Sequence, residues 1–125
     1  MRDRPPLADQ RVMIVEDSFL EAQAACDIVQ RHGGYVVGPH PTTHQALMSA
    51  IENRPTLALL DVDLDGKMSF LLADALSSLG VPLAFFSGYD RAMAPERFKS
   101  STWISKPATD EAVLSGLEEA LYHRH

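Results

Sequence analysis

Five short apolar runs punctuate the chain: RVMIV (11–15), YVVG (35–38), TLALL (56–60), VPLAFF (81–86) and TWIS (102–105). Each has the length and β-branched or aliphatic character of a buried strand. The segments between them switch to helical spacing. Residues 18–32 carry Leu20, Ala24, Ala25, Ile28 and Val29, and Gly33-Gly34 supplies a stop. Residues 43–53 carry Ala46, Leu47, Ala50 and Ile51, with Thr42 or Thr43 as a cap and Pro55 beyond the end. Residues 68–79 carry Leu72, Ala75, Leu76 and Leu79 before Gly80, with Leu72, Leu76 and Leu79 expected in the core. Residues 110–122 carry Val113, Leu114, Leu117 and Leu121. Thr109 can cap that last helix; Asp110 and Glu111 suit its start, and His123 and Arg124 its end.

One interval breaks the rhythm. GYDRAMAPERFKSS (88–101) has Pro95 in its middle and poor apolar spacing, so a helix there should be short or irregular. The order β-α-β-α-β-α-β-(α)-β-α implies an α/β fold with a parallel sheet covered on both faces. Right-handed crossovers leave few topologies, of which the flavodoxin-like, doubly wound five-stranded order 2-1-3-4-5 is the usual solution at this length. Ligands in such sheets bind outside the carboxyl ends of the strands, at the switch point between strands 1 and 3.

Composition narrows the function classes. The 125 residues, 46% hydrophobic, suffice for one core and one domain, read as 10–125 behind a loose, proline-bearing tail at 1–9. A net charge of −6 argues against a broad nucleic-acid footprint. No run approaches a membrane span or a signal peptide, so a cytoplasmic protein, monomeric or weakly dimeric, is expected. The lone Cys26 reads as a small core residue.

The strand ends hold the chemistry. Glu16 and Asp17 follow the first run, Asp61 the third, Ser87 and Gly88 the fourth, and Lys106-Pro107 the fifth. Three carboxylates converging on one crevice repel one another, and a divalent cation relieves this. Mg2+ suits one or two carboxylates, a backbone carbonyl, waters and a phosphate oxygen. A carboxylate beside it can attack phosphorus, and the developing charge then needs a cation and a donor, for which Lys106 and Ser87 are of the right types. The triple aspartate of LALLDVDLDG also resembles the start of an EF-hand loop, but the twelfth position counted from Asp61 is Leu72, not the bidentate glutamate that loop requires. Asp65-Gly66 then reads as turn chemistry leading into the third helix.

The set E-D, D, S and K-P at successive strand ends resembles response-regulator receiver domains over nearly the whole chain. FFSGY (85–89) and LDVDLDGKMSFLLADAL (60–76) look like a single-domain subgroup with an F-A-T-G-Y signature. The resemblance implies that Asp61 accepts a phosphoryl group from a sensor histidine kinase or a histidine phosphotransfer protein. It implies Mg2+ held by Glu16, Asp17, Asp61 and the main-chain carbonyl of Asp63. Ser87 and Lys106 would stabilise the phosphoryl group, Ser87 and Trp103 are the switch candidates, and the Lys106–Pro107 bond is expected to be cis. Asp63 and Tyr89, two residues past Asp61 and Ser87, are candidates for tuning phosphate lifetime. The chain departs from the pattern with Ser for Thr at 87, Trp for Tyr or Phe at 103, and Ala108 where Phe is frequent.

The implied function is a stand-alone response regulator of a two-component phosphorelay. It signals through phosphorylation-dependent protein contacts and catalyses only its own phosphorylation and dephosphorylation. A haloacid-dehalogenase-type phosphatase shares the D-x-D of Asp61-Val62-Asp63, but places it on its first strand and needs room for a cap. A phosphorylation-independent pseudo-receiver would not need the full Asp, Ser and Lys set.

Overall fold

A computed structural model describes residues 4–122. Strands β1 (Arg11–Val15), β2 (Tyr35–His40), β3 (Leu57–Leu60), β6 (Leu83–Ser87) and β7 (Thr102–Ser105) form one parallel sheet in the order β2-β1-β3-β6-β7. This is the doubly wound order expected. The central strand β3 is buried at every position, and β1 at all but its first. That explains why both read as unbroken apolar runs rather than as alternating ones.

Alternate residues of each strand serve opposite layers. Val12, Ile14, Leu57 and Leu59 pack under α1 (Phe19–Arg31) and α4 (Asp110–Tyr122), with Ala25, Val29, Val113 and Leu117. Met13, Val15, Ala58 and Leu60 face α2 (Thr43–Asn53) and α3 (Phe70–Ser78), with Ala46, Ala50, Leu72 and Leu76. The caps are as the sequence suggests: Thr42 Oγ1 accepts from Gln45 N–H at 3.2 Å, and Thr109 Oγ1 from Ala112 N–H at 3.1 Å. Cys26 is buried in the α1 layer.

Four expectations change. The tail is not loose over residues 5–9: Leu7 is fully buried, and its N–H donates to His32 O at 2.8 Å. Gly33 leaves α1 at φ 89°, and a Cβ there would meet Pro5 at 2.6 Å, so the N-terminal turn packs against this loop. An isolated leucine in a polar, proline-bearing stretch carries no periodic signal, which is why its burial was unreadable. Leu79 is exposed rather than core, because it lies past the last turn of α3; Leu20 and Ile51 are exposed as well, outside the buried stripes of α1 (Ala22, Ala25, Cys26, Ile28 and Val29) and α2 (Ala46, Ser49 and Ala50).

The third helix starts at Phe70, later than expected, because a two-stranded ribbon precedes it: β4 (Asp63–Leu64) pairs antiparallel with β5 (Lys67–Met68). Asp65 (φ 52°) and Gly66 (φ 84°) are its two turn residues, both left-handed as a type I′ hairpin turn demands. Asp65-Gly66 therefore closes a hairpin rather than leading directly into α3. The irregular interval 88–101 holds two single 3-10 turns, Arg91–Met93 and Glu96–Phe98, in place of a helix. His123 and Arg124, read as charge partners for the last turn of α4, lie outside the described residues.

Candidate functional site

The sheet order brings the carboxyl ends of β1, β3, β6 and β7 side by side. At the end of β1 the chain runs into Glu16, whose N–H donates to His40 O at 3.0 Å. Asp61 follows β3, its N–H bonded to Val15 O at 3.0 Å. These ladder continuations fix both residues before any side-chain contact is made. Carboxylate oxygens of Glu16, Asp17 and Asp61 then lie within 4.8 Å of one another, with Glu16 and Asp61 buried and Asp17 exposed. An all-oxygen anionic set with one solvent-facing member fits a hard divalent cation that keeps some of its waters.

Lys106 reaches in from the end of β7. Its ammonium lies 2.6 Å from Glu16 Oε1, 2.5 Å from Glu21 Oε1 and 3.1 Å from Asp61 Oδ2. It also sits 5.0 Å from the centre of the Phe86 ring. Burial pulls the Lys106 ammonium towards neutrality, but the close contacts with the carboxylates of Glu16, Glu21 and Asp61 outweigh it and hold its pKa above the usual lysine value. Glu16 behaves in the opposite sense. Burial raises its carboxyl to about 7, against the opposing hydrogen bonds from Lys106 and from Ser18 N–H.

The remaining candidates take varied positions. Ser87 is buried at the end of β6, and its Oγ accepts the Tyr89 N–H at 3.1 Å. The backbone ties this strand end to the lysine, with Lys106 N–H donating to Ser87 O at 3.2 Å, and the Lys106–Pro107 peptide is cis as expected. Asp63 N–H donates to Asp61 Oδ1 at 3.3 Å, while the Asp63 carboxylate is engaged in its own hairpin, accepting from Gly66 N–H at 2.8 Å. The Tyr89 hydroxyl donates to Met93 O at 3.2 Å, and its ring meets Phe70 edge-on at 5.8 Å. Trp103 is half-buried, stacked on Phe85 at 4.5 Å, and its indole N–H donates to Phe98 O at 2.8 Å.

Two residues were missed. Glu21, in the first turn of α1, makes the third contact to Lys106. Its only sequence signal is an acidic side chain one turn into a helix that begins at the site. Ser69 is fully buried ahead of α3, and its hydroxyl donates to Asp61 O at 2.6 Å instead of capping the helix. Its position at a helix start was legible, whereas the diversion of its hydroxyl to Asp61 was not.

No protein-family model matches the chain, and no curated protein does. Solved structures match it closely in shape. The receiver domain of the PhyR response regulator from Erythrobacter litoralis is 27% identical, with a TM-score of 0.82 over 92% of each chain. The response regulator PhyR from Brucella abortus is 26% identical with a TM-score of 0.80 over 96% of this chain, which spans 50% of that one. The receiver domain of the putative response regulator NarL from Mycobacterium tuberculosis, 19% identical at a TM-score of 0.78, shares the fold alone. The neighbours are receiver domains, and the acidic cluster occurs in a receiver-like fold.

Proposed function

We propose that this chain is a phosphoryl-accepting receiver of a two-component phosphorelay, with Asp61 as acceptor. The observation that carries the reading is the convergence of Glu16, Asp17 and Asp61 with the Lys106 ammonium at the sheet's carboxyl rim. In transfer, an Asp61 Oδ forms a bond to phosphorus as the donor's P–N bond breaks. The leaving imidazole of a kinase or phosphotransfer protein keeps the bonding pair. Mg2+ bound by Glu16, Asp17, Asp61 and the Asp63 carbonyl would neutralise charge on the phosphoryl oxygens. Lys106 supplies a protein cation already aimed at Asp61. Ser87 Oγ accepts the Tyr89 N–H, which leaves its hydroxyl hydrogen to donate to the phosphoryl group.

The chain then signals by protein contact and catalyses only its own phosphorylation and dephosphorylation. The FFSGY stretch supports the single-domain subgroup, and a cytoplasmic site of action goes with the two-component reading. Intact-mass measurement with acetyl phosphate and Mg2+ tests the reading. One phosphate adduct, lost with chelator and in Asp61→Asn, is expected. Absence of an adduct with any donor would favour the pseudo-receiver, and steady turnover of phosphate monoesters the phosphatase. Asp63 and Tyr89 are assigned control of water access on their placement two residues past Asp61 and Ser87. Unchanged autodephosphorylation in both Asp63→Asn and Tyr89→Ala would remove that role.

A further inference from the structure

Glu21 makes the shortest of the Lys106 contacts, although it lies outside the three-carboxylate cluster. We propose that Glu21 is a positioning residue that holds the Lys106 ammonium at the lip of the site and competes for it with a phosphoryl group on Asp61. The phosphoryl part of this inference rests on the receiver reading above.

Here Glu16 at 2.6 Å and Asp61 at 3.1 Å accept hydrogen bonds from the ammonium, and Glu21 adds an ion-pair contact at 2.5 Å. A new anionic group must compete with these three carboxylates for the one cation. The candidates for displacement differ in what they lose. The Glu16 side chain is 5% exposed and Asp61 9% exposed, so water cannot replace the ammonium at either and each depends on a cation within the site. Glu21 is 44% exposed, and water can take over its contact at little cost. It also stands in the first turn of α1, where the helix N-terminus favours an anion whether or not lysine is present. Glu21 is thus the contact built to open. While closed, it offsets the lysine's charge and draws the ammonium away from an incoming phosphoryl group.

The test uses the full chain. Phosphorylation by acetyl phosphate with Mg2+ is followed by intact mass for wild type and Glu21→Gln, each with Lys106 intact and in a Lys106→Ala background. With the lysine present, Glu21→Gln should gain the adduct about two- to fivefold faster, the range of a half-exposed ion pair. In Lys106→Ala the substitution should change nothing. Equal rates with the lysine present, or an acceleration that persists without it, would overturn the proposal. The persistent case would mean that Glu21 acts through its own field on the anionic donor. The Lys106 Cε and Nζ resonances of the unphosphorylated protein give a readout that needs no phosphate. They should shift in Glu21→Gln, and their constancy would also overturn it. If wild type takes no phosphate, the receiver reading fails, while shifted lysine resonances still support the holding contact.

Discussion

Two crossovers of this sheet do the same topological job by different means. The connection from β1 to β2 is a 13-residue helix whose buried stripe is Ala22, Ala25, Cys26, Ile28 and Val29. The connection from β6 to β7 has no helix and returns through two 3-10 turns. In α1 the packing is spread over small residues at regular spacing. The strap at 88–101 concentrates its burial in Phe98, which is 5% exposed. That ring stacks on Phe70 at 5.8 Å and meets Phe85 edge-on at 5.4 Å. The rest is pinned by single polar contacts: Trp103 Nε1 to Phe98 O, Arg91 Nε to Lys99 O at 2.7 Å, and Arg97 to Asp74. A distributed interface tolerates a change at one position. A concentrated one should fail at one residue.

The sharpest test of that contrast is Phe98→Ala. Loss of a buried aromatic with three aromatic and cationic neighbours should cost about 3–5 kcal/mol, read as a fall in the urea midpoint. Cys26→Ala in α1 should cost far less by the same measurement. Comparable losses would erase the distinction between the two crossovers.

A regular helix has its own single-residue weakness where it approaches the sheet most closely. Gly116 of α4 lies so near β7 that a Cβ would stand 2.3 Å from Ile104 Cδ1 and 2.4 Å from Cγ1. Gly116→Ala should cost about 1–3 kcal/mol, because overpacking outweighs the helix propensity gained. A more stable Gly116→Ala would show that Ile104 moves aside freely. Trp103→Phe follows in size. It keeps a stacked ring against Phe85 but leaves Phe98 O without its donor, a loss of about 1 kcal/mol.

The same contrast explains what could be read before the structure. Regular elements were legible because their apolar spacing repeats: β1, β7, α2 and α4 fall on the expected residues, and the sheet order follows from the alternation. The convergence of Asp61, Glu16, Asp17 and Lys106 was legible because strand ends in this topology share a rim. What escaped was set by single contacts without period. Leu7 folds onto α1's end, Ser69 turns its hydroxyl to Asp61, and Glu21 reaches Lys106. The Asp65-Gly66 ribbon was signalled by its dipeptide, and the short apolar content around it hid the strands. Pro95 marked the strap as irregular, but nothing in its spacing singled out Phe98 as the anchor.

The smallest effect belongs to the strap's outermost pin. Arg97 Nε and Nη2 each donate to Asp74 at 2.8 Å, a two-pronged contact between exposed side chains of the strap and α3. Solvent screening makes it a poor source of global stability. Arg97→Ala should leave the urea midpoint unchanged and act only locally, as faster amide exchange at residues 96–99. Its pH dependence has a defined sign. The hydrogen bonds from Arg97 hold the Asp74 carboxyl below the usual carboxylate range. A depressed folded pKa contributes above the unfolded value and is lost as pH falls through the folded one. The exchange difference between wild type and Arg97→Ala should therefore be complete at neutral pH and vanish in acid once Asp74 is protonated. A difference that persists below that point would place the strap's pinning in the guanidinium's stacking on Phe98, 4.9 Å from the ring centre, rather than in the ion pair.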